Sequence, residues 1–147
     1  NMSKPVIIKI KGLQDMRDTR EEKMELITLG KYSKRNGSYY VSYNESEVTG
    51  MEGVVTTVKI KEDKVTVKRF GKVNDSLVFE KNKRNICHYN TPYGAMMIGI
   101  NTNRLSSNMD EDGGMVDIDY SIDINNVMTG NNTFHMTIKE DTGNGAN

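Results

Sequence analysis

Little in this sequence ties it to a membrane, a disulfide scaffold or a polyanion. Cys87 is the lone cysteine among 147 residues, which excludes an internal disulfide and removes any need for an oxidising compartment. A cytoplasmic location is the expectation. Twenty basic and twenty acidic residues cancel, so whole-surface attraction to nucleic acid or to an anionic membrane has no support. No apolar run approaches the roughly 18 residues that a bilayer span requires, and no charged segment followed by an apolar one opens the chain. Neither membrane insertion nor export is expected. The Asn-x-Ser/Thr triplets at Asn36, Asn44, Asn74 and Asn131 accordingly mark polar turns rather than glycosylation sites.

Catalytic and cofactor signatures are equally scarce. There is no G-x-G-x-x-G, no G-x-x-x-x-G-K and no G-x-S-x-G, so dinucleotide, phosphate-loop and nucleophile-elbow chemistry lack their motifs. His88, His135 and Cys87 fall short of any zinc spacing. On a strand, Cys87 and His88 point to opposite faces and cannot act as a local thiolate–imidazole pair. Asp110, Glu111 and Asp112 beside Gly113-Gly114 offer carboxylates, but not at the alternating positions of a calcium loop, and read as a mobile solvated loop. No catalytic residue, metal or cofactor is assigned.

What the chain has in abundance is alternation. From Gly113 to Glu140, V-D-I-D-Y-S-I-D-I is followed by an Asn-Asn turn and F-H-M-T-I-K, the pattern of a half-buried antiparallel hairpin. Val116, Ile118, Tyr120, Ile122 and Ile124 are expected inward. Asp117, Asp119, Ser121 and Asp123 fall on the other face, where the aspartates would meet lysines.

Val6, Ile8 and Ile10 give a first strand, and the charged stretch Leu13–Glu22 reads as a loop or a single helical turn. A second strand over Met24–Tyr32 reaches Asn36-Gly37, whose positive-φ preference makes a two-residue hairpin turn. Tyr39, Val41 and Tyr43 share one face of the return strand. Glu45–Gly53 is a connection, Val54–Ile60 and Val65–Arg69 flank a reversal at Glu62-Asp63, and Leu77–Lys81, Ile86–Thr91 and Met96–Ser106 complete the set. Eight to ten short strands without a long amphipathic helix predict an all-β fold, a single antiparallel up-and-down barrel. Residues 2–142 form that one domain, 143–147 a disordered polar tail, and Asn1, standing before Met2, an expression remnant.

Charge is uneven along the chain. Lys59–Arg84 holds nine basic and four acidic residues, whereas 105–147 holds eight acidic and one basic. The basic block alternates with apolar residues and reads as the wet face of strands. Arg69 is the exception, because it shares parity with Val65 and Val67: either it points inward, where a guanidinium must find a carboxylate, carbonyls or a ligand anion, or a bulge or the strand end at Gly71 turns it out to solvent. A tyrosine-rich set of Tyr39, Tyr40, Tyr43, Tyr89 and Tyr93, with His88 between, suits cavity walls, although filling cores and corners is the commoner role of such rings.

The segments H-Y-N-T-P-Y-G at His88–Gly94 and Y-N-E-S-E-V-T-G-M-E-G at Tyr43–Gly53, with E-D-G-G leading into an alternating strand, resemble the YwiB-like family of small bacterial proteins. That resemblance implies a calycin-like, lipocalin-like β-barrel of unknown function in a cytoplasmic protein. An eight-stranded barrel is just wide enough to be filled by side chains or to hold one small ligand. Three functions therefore stand open: a barrel binding a small, partly apolar ligand in its lumen or mouth, a side-chain-filled barrel acting as an interaction module, and a small hydrolase or isomerase using Glu45 or Glu47 with His88 or Arg69. The leading expectation is the first, for an amphipathic or anionic ligand, with Arg69 as anchor, Tyr43, Tyr89 and Tyr93 as walls, and His88 and Glu45 as further polar groups. In a filled barrel, an internal carboxylate such as Glu45 or Glu47 would instead hold Arg69.

Overall fold

The computed structural model describes residues 3–16, 21–91 and 93–143. Asn1 and nearly all of the expected tail lie outside them. Ten strands follow one another: β1 Lys4–Met16, β2 Glu21–Arg35, β3 Ser38–Asn44, β4 Val54–Ile60, β5 Lys64–Gly71, β6 Asp75–Glu80, β7 Arg84–Thr91, β8 Gly94–Asp110, β9 Gly113–Ile124 and β10 Val127–Glu140. They form one antiparallel sheet in the order β6-β5-β4-β3-β2-β1-β10-β9-β8-β7, rolled into a nearly closed barrel with no helix among the described residues.

The turns sit where the short polar pairs predict them. Asn36 and Gly37 take φ of 51° and 80°, and Asn125 and Asn126 take 52° and 66°, the left-handed geometry that tight hairpins need. The strands are longer than the apolar pattern suggests. Of the expected loop Leu13–Glu22, residues 17–20 lie outside the described residues, and the described parts are strand: β1 pairs with β10 as far as Met16↔Gly130 and with β2 as far as Asp15↔Glu21. Partners on both sides hold Leu13–Asp15 extended, because ladder bonds satisfy the backbone of this polar segment whatever its side chains are. The acid-rich segment before β9 is likewise a tight turn, in which the Asp112 N–H donates to Asp110 Oδ1 at 2.8 Å.

Alternate residues of the strands converge on one core. Val6, Ile8, Ile10, Val41, Val58, Ile60, Val65, Val116, Ile118 and Met136 are almost completely buried, and each such side chain contributes about 1.5–3 kcal/mol relative to exposure. Tyr120, Ile122 and Ile124 are partly buried and pack on that core. The outer face of β9 departs from expectation. Asp117 meets His135 and Asp119 meets Arg104 rather than lysines. Asp123 is buried, because Arg84 and Asn101 cover it: Arg84 donates through Nε and Nη2 at 3.0 and 2.8 Å, and Asn101 Nδ2 at 2.8 Å. Gly99 makes room for this fork, since a Cβ there would stand 2.5 Å from the Asp123 carboxylate and 2.6 Å from Arg84 Nε.

The ends of the sheet, β6 and β7, meet without a regular ladder. Side chains tie them instead. The Val78 N–H donates to Cys87 Sγ at 3.4 Å, the Asn90 N–H to the Asp75 carboxylate at 3.2 Å, and Asn90 Nδ2 to the Asn74 carbonyl at 2.6 Å.

Candidate functional site

The wall also parts at a second place. β2 and β3 pair only from Lys31↔Ser42 to Arg35↔Ser38, although β2 continues to pair with β1 down to Glu21. The last close approach is at Gly30, where a Cβ would stand 2.4 Å from the Ser42 carbonyl oxygen and 2.5 Å from Ile8 Cδ1. Past that point β3 turns with β4, and the β3–β4 connection lies opposite the unpaired edge of β2. Between them opens a cleft of about 410 Å3. Met24 and Leu26 from β2 form one side, Val48, Thr49 and Met51 the other, and Ile10, Val67 and Phe134 the floor, with Tyr43, Glu45, Thr56 and Arg69 also on its surface.

The polar groups of the cleft are held in place. Glu45 accepts hydrogen bonds from the hydroxyls of Thr49 at 2.9 Å and of buried Thr56 at 2.5 Å, one on each carboxylate oxygen. The Glu45 N–H donates to the Val54 carbonyl at 2.8 Å, which fixes the residue at the root of the connection. Burial pushes the Tyr43 phenol well above its ordinary range, and the neighbouring Glu45 carboxylate adds to the effect. Tyr43 is therefore a neutral donor and acceptor across the physiological range.

Arg69 faces inward, as its parity predicts, and its fork is occupied. Nε donates to Asp75 Oδ1 at 2.6 Å, Nη2 donates to Asp75 Oδ2, and Nη1 lies 3.0 Å from Met51 Sδ. The Arg69 side chain is 11 % exposed and that of Asp75 0 %. The guanidinium stacks over Tyr89, 5.0 Å from its ring centre. Its charge is held in the protonated form first by the Asp75 bond. The carboxylate that holds Arg69 is thus Asp75, placed directly across the β5–β6 ladder, and neither Glu45 nor Glu47.

Tyr43, Glu45 and Arg69 therefore meet at one cleft, and Tyr89 joins them from behind Arg69. His88 and Tyr93 do not. His88 is exposed on β7 and Tyr93 is 100 % exposed, and neither lines the cleft. His88 is thereby no partner for an acid–base pair with Glu45. Residues missed by sequence reading are Asp75, Thr49, Thr56, Met51 and Met24. Only Asp75 had a usable signal: with a turn near Asn74, Arg69 and Asp75 fall opposite each other on a hairpin. The threonines and methionines came together only through the departure of β2 from β3.

Comparison with known proteins agrees with this architecture. A family model described as a domain of unknown function (DUF1934) matches residues 8–136. A protein of Bacillus subtilis (strain 168) described as "Uncharacterized beta-barrel protein YwiB" is 28% identical over 120 residues, spanning 82% of this chain and 82% of that protein. The crystal structure of the YwiB protein from Bacillus subtilis superposes with a TM-score of 0.83 at 25% sequence identity, covering 95% of this chain and 94% of that one.

Proposed function

The chain belongs to the family described as a domain of unknown function (DUF1934), and from that premise we propose that it binds a small, partly apolar ligand at the mouth of its barrel, in the cleft between β2 and the β3–β4 connection. One observation carries this reading: a concave, mostly apolar surface holds a few polar groups whose orientations are already fixed by their neighbours. Such pre-formed sites bind at lower cost, because little side-chain entropy remains to be lost. The closely filled core beneath the cleft argues for binding at the mouth rather than deep in the lumen. The lone, buried Cys87 suits a reducing compartment, and we take the protein to be cytoplasmic.

Native mass spectrometry of protein purified from a bacterial host tests the proposal. A retained small molecule is expected in the wild type, and it should be lost from Leu26→Trp, which fills the cleft. A bare mass in every preparation would overturn the reading and favour an interaction module. That second reading has its own support, since Ile27 and Leu29 are 69 % and 67 % exposed on the strand whose edge lacks a partner.

A further inference from the structure

We infer that the head group taken by this cleft is cationic, a protonated amine carried on a short apolar body, with Glu45 as its acceptor. The inference rests on the binding reading above and specifies its chemistry.

Three observations point the same way. Among the described residues Arg69 is the one basic residue on the cleft surface, and its Nε and Nη2 both lie on the buried Asp75 carboxylate. An incoming anion would find only the Nη1 end, which lies 3.0 Å from Met51 Sδ, on a guanidinium whose charge the Asp75 carboxylate already offsets. Glu45, in contrast, is held only by neutral hydroxyls, and among the described residues it takes part in none of the ion pairs. A carboxylate oxygen has room for further hydrogen bonds beyond the one each receives here.

The rim adds to this charge. Glu25 lies on the β2 side of the cleft, and the connection E-S-E-V-T-G-M-E-G contains three glutamates and no lysine or arginine. Among the described lining residues Glu25 and Glu45 stand against Arg69 alone, and Asp75 offsets that one positive charge, so the cleft surface is net negative. A low-dielectric cleft with one sign of charge concentrates ligands of the other sign. The apolar wall suits an organic cation as well, because Met24, Met51, Tyr43 and Phe134 present polarisable sulfur and ring faces that attract cations more than anions.

The test uses three probes of equal length, hexylammonium, hexanol and hexanoate, titrated into protein carrying methyl-labelled methionine. The Met24 and Met51 signals are assigned by Met24→Leu and Met51→Leu. Hexylammonium should bind about tenfold or more tightly than hexanoate, with hexanol between, a gap of about 1.4 kcal/mol or more. Glu45→Gln should erase the preference for the cation while hexanol still binds, and Glu25→Gln, at the rim, should reduce it less. Equal binding of all three probes would overturn the cationic inference and leave the cleft reading standing. Preference for hexanoate, abolished by Arg69→Met, would overturn it in favour of an anion anchor. Silence of both methyl signals towards every probe would sink the cleft reading itself and this inference with it.

Discussion

Replacing Arg69 by methionine isolates one charge. The substitution keeps most of the aliphatic stem and removes the guanidinium that Asp75 holds by two hydrogen bonds. Asp75 has no exposed side-chain surface, so water can reach it only through the space the guanidinium leaves at the cleft. Breaking a buried pair by removing one member costs about 3–5 kcal/mol, because the other charge is left behind. Two features set the value near the lower end. The Asn90 N–H continues to donate to Asp75, and Arg69 itself is slightly open to solvent. Loss of the stack on Tyr89 adds about 0.5–1 kcal/mol. The expected cost is therefore about 3–4 kcal/mol. In a urea titration this is a fall in midpoint of about 1.5–2 M for a slope near 2 kcal/mol/M. Arg69→Met with Asp75→Asn removes both charges, and the double variant should recover most of the loss. A cost below about 1 kcal/mol for the single variant, or a double variant no better than the single, would refute the stranded-charge reasoning.

Three other expectations concern the frame. Ile118→Ala removes a buried β9 side chain and should cost about 2–4 kcal/mol by chemical denaturation, whereas Asp119→Ala, which loses only an exposed pair with Arg104, should cost under about 1. Gly99→Ala should destabilise the protein and separate Arg84 from Asp123, since the new methyl would occupy the space of their fork; Asp123→Asn combined with it should show the two effects to be non-additive in a double-mutant cycle. Arg84 first, then Asn101, lowers the Asp123 carboxyl from an ordinary 3.8 to about 2. A depressed carboxylate stabilises the fold above its unfolded value and loses that contribution as pH falls through the folded one, so thermal melting should show an acid loss between pH 4 and 2 that Asp123→Asn lacks.

The barrel was legible because its evidence is local. Alternation in β4, β5 and β9 gave the inward faces, and Asn36-Gly37 and the Asn125-Asn126 pair gave reversals whose backbone angles few other residues accept. Strand length was not legible at Leu13–Met16, where ladder partners far along the chain, not apolar period, keep the backbone extended. The inward turn of Arg69 followed from parity with Val65 and Val67. Its partner was missed, because Asp75 comes opposite Arg69 only once the turn near Asn74 fixes the register of that hairpin. Burial of Asp123 escaped the same logic: parity puts it outside, and only the arrival of Arg84 from β7 and Asn101 from β8 covers it. The cleft itself arises from the parting of two strands at Gly30, a tertiary event that no sequence period encodes.

The side-chain closure between β6 and β7 separates the order of strands in space from their order in time of synthesis. Every neighbouring pair in the sheet is consecutive in the chain except β1 with β10, which joins Val6 to Glu140, and the seam falls instead at a connection of three residues, Lys81–Lys83. The chain must therefore close nearly its whole length to form one ladder, an entropic delay that slows folding. Cutting at Lys81–Lys83 and linking the region after Asp141, whose N–H already meets the Pro5 carbonyl at 2.9 Å, back to β1 would give a permuted chain running β7 to β10 and then β1 to β6. All nine ladders of that chain would be hairpins or short connections, and its two ends would meet through side-chain bonds, those of Cys87 with Val78 and of Asn90 with Asn74 and Asp75, in place of a ladder.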